Sequence, residues 1–305
     1  MNRDNDRIKG TLIRLCNSPY YIAAVAALAF LFFVTGLSFI GIVISSAIFA
    51  VTLLFTDNER YCFPPLLTMI FQLSFVGHDA DNELQYFSSP AAITFFAVAA
   101  VIMAIALIVY FVKIYKTRQR KTDFFRRPMF WAFVALFAAT ILGGLFYKPY
   151  DFSSLLYAAG IGGMFLAFYA AFAFLCDKTE QTRIYLARTM VSVMLLIAAE
   201  LAAFYAFNFA DYGIMSSDWK AVMHIGWGIS NTIGAMLVML IPAAYYLINK
   251  NIDAPFHYFT VFVAITATYF TMSRTALVVG APMCVILTII SFVKNKSLRP
   301  LLGVM

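Results

Sequence analysis

The sequence predicts an all-α, polytopic membrane protein, and two features carry that prediction. Of its 305 residues, 63% are hydrophobic and only 12% are charged. A soluble globule of this composition would have too few polar side chains to cover its surface. The apolar runs are also continuous, whereas the strands of a membrane β-barrel alternate apolar and polar residues. Helices that satisfy their own backbone hydrogen bonds in lipid are therefore expected.

Apolar runs of roughly 17 to 25 residues recur along the chain, which is the length that a bilayer requires of a helix. They predict about ten transmembrane helices, at 21–36, 38–55, 63–77, 90–112, 129–147, 153–175, 189–210, 231–248, 257–272 and 275–293. A cytoplasmic N-terminus, 1–20, precedes the N-terminal transmembrane helices, 21–210, and a second transmembrane region, 211–305, follows.

The positions of the cations predict the orientation of these helices. With the N-terminus in the cytoplasm, 19 of the 22 lysines and arginines lie inside, and only Lys148, Lys220 and Arg274 lie outside. This bias is what the positive-inside rule requires of a membrane protein. The net charge of +7 is thereby explained by topology, and it does not indicate a nucleic-acid partner.

Local signals justify the individual helices. The first two form a hairpin hinged at Gly36-Leu37-Ser38, and the short third helix follows Pro64-Pro65. Small residues predict close helix packing at two places. They are Ala158, Ala159, Gly160, Gly162 and Gly163 on the sixth helix, and Ala198, Ala199, Ala202 and Ala203 on the seventh.

The four cysteines contain no CxxC pair and predict neither a disulfide nor a metal site, and no cofactor is indicated.

Glu200 lies near the middle of the seventh predicted helix. An unpaired carboxylate is costly there, so it is expected to be protonated or to have a partner. We expect a structural hydrogen bond to a neighbouring Ser, Thr, Tyr or Asn, with a proton or ion relay as the alternative. A relay normally uses several titratable groups, and this chain places a single carboxylate so deep.

Arg274 interrupts the last long apolar stretch, residues 257–293. A cation near the middle of a membrane helix costs roughly 2.5 to 3.5 kcal/mol on insertion scales. Two arrangements would avoid that cost. Either two helices meet at Ser273-Arg274-Thr275 near a water interface, or the arginine faces an anion inside the bundle.

A second segment, Asp211 to Asn231, is predicted at the same membrane face and leads directly into the eighth helix. Lys220, His224, Asn231 and Arg274 would then converge there. A phosphate group suits such a place, because arginine offers a planar fork of donors and helix N-termini add backbone N–H groups. The pattern predicts a site for the anionic head of an outer-leaflet lipid.

These segments resemble the O-antigen ligase and polymerase superfamily of bacterial envelope glycosyltransferases. The resemblance is carried by Gly226-Trp227-Gly228-Ile229-Ser230-Asn231, by the following apolar helix with Pro242, and by Thr271-Met272-Ser273-Arg274-Thr275-Ala276. It covers roughly residues 220 to 295, while upstream only hydropathy and the number of helices agree. It implies metal-independent, inverting transfer of a glycan from a polyprenyl diphosphate carrier to a lipid or glycan acceptor, at the outer face of the bacterial plasma membrane.

The resemblance also implies roles for individual residues. Arg274 would grip the carrier diphosphate with Ser273 and Thr275 beside it, and Asn231 would cap its helix. Members of the superfamily usually carry a second arginine before the glycine-asparagine turn, where this chain offers Lys220 and His224. His224 is also a candidate base, since a neutral histidine has a suitable pKa.

The catalytic loop of the superfamily, with its histidine, follows further C-terminal helices, and this chain ends at Met305. A fragment of a longer enzyme is therefore expected.

Two alternatives to the transferase stay open. A transporter or flippase for a glycolipid or polysaccharide predicts internal repeats, broken helices in matching halves and several charges at mid-membrane depth. A non-catalytic remnant of the superfamily is the other.

Overall fold

The computed structural model describes residues 2–56, 58–72, 90–117, 128–146, 155, 158–159, 162–163, 166, 169, 179–212, 219, 223–225 and 228–295. These residues are almost entirely helical. The helices are α1 (Asn2–Asn17), α2 (Pro19–Thr35), α3 (Ser38–Thr56), α4 (Phe63–Met69), α5 (Pro90–Thr117), α6 (Pro128–Leu145), α7 (Glu180–Tyr212), α8 (Ser230–Asn249), α9 (Ala254–Phe270) and α10 (Arg274–Asn295). Two 3-10 helices, Glu59–Cys62 and Ile70–Gln72, flank α4, and β1 (His224–Ile225) pairs antiparallel with β2 (Gly228–Ile229).

Six of these helices, α3, α5, α6, α7, α8 and α10, are long and apolar enough to cross a membrane. Helices α1 and α2, which are bent by 76° at their break, would add a seventh span if they cross as one. The described part of the chain thus has the helices of a multi-pass membrane protein, as predicted. The third predicted helix is seen as the seven-residue α4 and its flanking 3-10 turns, and most of the sixth lies outside the described residues.

The predicted hinge between the first two membrane helices is confirmed. Helix α2 ends at Thr35, and Gly36 has a φ of 70°, in the left-handed region that glycine adopts without steric cost. Helix α3 begins two residues later, at Ser38. At the other end of α2, the Ser18 side chain caps the helix by accepting from the Tyr20 N–H at 3.2 Å.

The chain divides into two compact units, residues 111–182 and the remainder. In the smaller unit, Gly144 of α6 and Gly162, which belongs to the predicted helix 153–175, lie in tight contacts. A Cβ on Gly144 would lie 3.0 Å from the Ala158 Cβ, and one on Gly162 would collide with Thr140 and Phe137. These contacts confirm that the small residues between 158 and 163 allow close helix packing.

A polar cluster ties α1, the first 3-10 helix and the beginning of α7 together in the larger unit. Arg60 donates to the Asn17 Oδ1 at 3.0 Å and lies over the Tyr61 and Tyr185 rings, at 4.8 and 5.9 Å from their centroids. The Tyr185 hydroxyl donates to the Cys16 carbonyl at 2.9 Å. The three cysteines among the described residues, Cys16, Cys62 and Cys284, are buried and free.

The main core of the larger unit joins α7, α8 and α9, with contributions from α2 and α10. Helices α8 and α10 run parallel, because their contacts advance together along both helices. Gly234 faces Ala276, Val238 faces Gly280, and the Tyr245 hydroxyl lies 2.6 Å from the Thr288 Oγ1. Helix α9, which connects them in the chain, runs antiparallel to both, and the N-termini of α8 and α10 therefore lie at the same end of the bundle.

Candidate functional site

The apolar stretch around Arg274 is broken, as the first of the two predicted arrangements requires. Helix α9 ends at Phe270 and α10 begins at Arg274. Met272 between them has a φ of 55°, a left-handed conformation that is uncommon for a residue with a side chain. The Thr271 Oγ1 donates to the Thr268 carbonyl at 2.7 Å and accepts from the Ser273 N–H at 3.3 Å, which holds the turn in place.

Ser273 and Arg274 have different surroundings at this junction. The Ser273 side chain is buried, and its Oγ accepts from the Ala276 N–H at 3.4 Å, in the position of an N-cap. Arg274 and Thr275 are the first two residues of α10, and both are exposed. Among the described residues, nothing forms a hydrogen bond or an ion pair with the Arg274 guanidinium. Ser273 therefore builds the turn, while Arg274 is available to a ligand.

The first turn of α8 packs directly on the same junction. A Cβ on Gly234 would lie 2.8 Å from the Ala276 Cβ, 2.9 Å from the Thr271 Oγ1 and 3.0 Å from the Ser273 Cβ. Only glycine allows this approach. Because each helix N-terminus carries roughly half a positive charge, the two adjacent N-termini and Arg274 make this end of the bundle electropositive. The structure thus packs the first turn of α8, which follows the first segment singled out by the sequence, on the second segment.

Asn231 lies inside the helix that it was predicted to cap. Helix α8 begins at Ser230, so Asn231 is its second residue and does not cap it from outside. The Asn231 side chain is exposed and makes no hydrogen bond within the described part of the chain. It lies in the first turn of α8, on the side of the bundle where α10 begins. The predicted capping role is therefore wrong, and the proximity of Asn231 to Arg274 stays a prediction.

Of the two remaining candidates, Lys220 lies outside the described residues, and His224 is described in its backbone alone. Trp219, which precedes Lys220, is fully buried. Its ring centroid lies 4.4 Å from that of Tyr205 and 5.8 Å from that of Phe204, both on α7. The β1–β2 pairing sets His224 opposite Ile229, the last residue before α8. Trp219 therefore packs on α7, and His224 lies next to the start of α8 through the β1–β2 pair.

A groove that the sequence did not predict lies between α7 and α9. It has a volume of about 360 Å³ and is lined by Ala198, Leu201, Ala202, Tyr205, Phe262, Val263, Thr266, Ala267 and Phe270. We call it the α7–α9 groove. At its end the Tyr205 hydroxyl donates to the Phe270 carbonyl at 2.6 Å, four residues before Arg274. The small side chains of Ala198 and Ala202 predict close helix packing, but here they leave space for the groove.

Glu200 is fully buried, and neither of its carboxylate oxygens has a hydrogen-bond partner among the described residues. The prediction of a structural hydrogen bond to Glu200 is therefore wrong for this part of the chain. Ile197 and Phe204 flank Glu200 by about one turn on the same face of α7, and both belong to the apolar core. The carboxyl group thus sits where the helix packs against hydrophobic side chains.

The described residues contain no group of three or more His, Cys, Asp or Glu side chains able to hold a metal ion. No family model, curated protein or solved structure matches this chain. The resemblance to the O-antigen ligase and polymerase superfamily consequently stays a prediction from the motifs quoted above.

Proposed function

We propose that this chain belongs to a membrane glycosyltransferase of the O-antigen ligase and polymerase type. It would transfer a polyprenyl-diphosphate-linked glycan to a lipid or glycan acceptor at the outer face of the bacterial plasma membrane. One observation supports the proposal above all others. Arg274 is exposed, has no partner among the described residues, and stands where two parallel helices begin side by side.

The chemistry of this place suits a diphosphate. Guanidinium groups bind phosphate oxygens through two parallel N–H donors, and helix N-termini add further N–H donors with a favourable dipole. In the transfer, an acceptor hydroxyl attacks the anomeric carbon as the bond from that carbon to the diphosphate oxygen breaks. Negative charge then develops on the departing diphosphate, and Arg274 would stabilise it without a metal ion. His224 is the candidate base for the acceptor proton.

The proposed topology has about ten transmembrane helices and a cytoplasmic N-terminus. It places the beginnings of α8 and α10 on the outer side, because 19 of the 22 cations then lie in the cytoplasm. The parallel pairing of α8 and α10 agrees with it, since both helices would run inward while α9 returns. The sugar donor would be met at the outer face, where its carrier presents the finished glycan.

Arg274→Ala tests the proposal directly. Farnesyl diphosphate is a suitable probe for the purified chain, because it carries the same diphosphate on a short isoprenoid. Losing a hydrogen-bonded charged partner costs about 1.5–3 kcal/mol, so the dissociation constant should rise by about tenfold or more. Arg274→Lys should fall between Arg274→Ala and the wild type, because lysine keeps the charge and loses the fork.

Lys294→Ala is the matched control, since Lys294 is an exposed cation at the opposite end of the same helix. Its affinity for farnesyl diphosphate should equal that of the wild type. Equal affinity in Arg274→Ala would reject the assignment of Arg274. Movement of the diphosphate-linked lipid from one leaflet to the other in proteoliposomes would instead favour the flippase alternative.

A further inference from the structure

The α7–α9 groove has walls that select an apolar occupant. Along α9 it extends from Phe262 to Phe270, about 12 Å at the rise of an α-helix. Of its lining residues, Tyr205 and Thr266 alone carry hydroxyl groups, and the Tyr205 hydroxyl is engaged by the Phe270 carbonyl. A polar ligand would find almost no partners between these helices.

The groove is open along its side. Phe262, in its α9 wall, is 63% exposed, and Ala202 in the facing wall is exposed as well. Helix α7 is long and apolar enough to cross a membrane, and α9 packs beside it, so we expect the opening to face the lipid phase. A hydrocarbon chain could enter it sideways from the bilayer, without crossing water.

The position of Arg274 decides what kind of hydrocarbon chain fits. Phe270 lines the end of the groove, and the Cα of Arg274, four residues later, lies within about 15 Å of it. The rings of Tyr205, Phe270 and Trp219 cluster at that end, and such aromatic side chains prefer the boundary between apolar and polar zones of a membrane. The groove therefore lies on the apolar side of this boundary, with the cation beyond it.

We infer that the α7–α9 groove seats the first isoprene units of the polyprenyl carrier whose diphosphate contacts Arg274. This inference rests on the proposed function. A single ligand with an anionic head and an apolar chain satisfies both the groove and the arginine, whereas a neutral lipid leaves the cation unpaired and a soluble anion leaves the groove unfilled. The volume of about 360 Å³ falls within the range of small-molecule sites. The rest of the long carrier would continue into the bilayer.

The test compares geranyl, farnesyl and geranylgeranyl diphosphate, which share one head and differ in chain length. Their dissociation constants are measured on the purified chain in the same detergent. In the wild type the affinity should rise at least about tenfold from the shortest to the longest chain, since each buried methylene contributes to binding. In Ala202→Trp, which fills the groove, this gain should fall below about threefold.

Ala100→Trp is the matched control, because Ala100 is an exposed alanine on α5 that does not line the groove. It should keep the full dependence on chain length. An undiminished gain in Ala202→Trp would overturn the inference and leave the diphosphate site standing. The same holds if phospholipid, not the isoprenoid, crosslinks to a photoreactive residue at position 202. Absence of binding for all three diphosphates would overturn the proposed function and this inference together.

Discussion

Gly234→Ala is the substitution with the clearest structural consequence. The added Cβ would lie 2.8 Å from the Ala276 Cβ, whereas two carbon atoms rest at about 3.5–4.0 Å. Helix α8 and the junction must therefore separate by roughly 1 Å. Overpacking of this kind costs about 1–3 kcal/mol, and the better helix propensity of alanine returns about 0.5–1 kcal/mol. We expect a net loss of stability of about 1 kcal/mol, within a range of about 0–2.5 kcal/mol.

Unfolding of the purified protein in mixed micelles, with increasing denaturing detergent, measures this loss. The double variant Gly234→Ala with Ala276→Gly removes the closest contact and should recover part of it, so a double-mutant cycle isolates the contact. Gly143→Ala is the control, because a Cβ there meets nothing within 4 Å. If Gly234→Ala unfolds like the wild type and the second substitution restores nothing, the close approach of α8 to the junction is refuted.

Two further predictions concern burial and orientation. Glu200→Leu should stabilise the protein by about 1–3 kcal/mol in the same assay, because it removes a buried carboxyl group without partners among the described residues. A loss of stability on Glu200→Leu would show that the carboxyl group has a stabilising partner. For orientation, a cysteine in place of Lys220, in a chain whose own cysteines are replaced, should react with an impermeant reagent from outside only. Reaction from the cytoplasm alone would reverse the proposed topology.

The features that the sequence predicted well depend on short-range chemistry. Gly36 marks the α2–α3 hinge because a left-handed turn favours glycine. Arg274 marks the α9–α10 break because an unpaired cation is costly inside a membrane helix. In both cases one residue and its immediate neighbours contain the physical reason, so no knowledge of the rest of the fold was needed.

The features that the sequence does not predict depend on which helices contact each other. Gly234 is one glycine among many in the sequence, and its importance appears only when α8 and α10 pack side by side. Ala202 was predicted at a helix contact, but it lines an open groove, since the partner helix α9 does not fill the space beside it. The partner expected for Glu200 is lacking among the described residues because the neighbouring faces are apolar, which the sequence of α7 alone cannot reveal.

The candidate site depends on the register between α8 and α10, and α9 sets that register. Gly234, the fifth residue of α8, meets Ala276, the third residue of α10, so the two helices begin about 3 Å apart along their axes. Each residue added to α9 would move the start of α10 by about 1.5 Å and turn it by about 100°. The left-handed Asn251 and Met272, one in each of the turns that bound α9, fix where it begins and ends. Arg274 thus lies level with the N-terminus of α8 because two turns with left-handed residues and a 17-residue helix return the chain to that level.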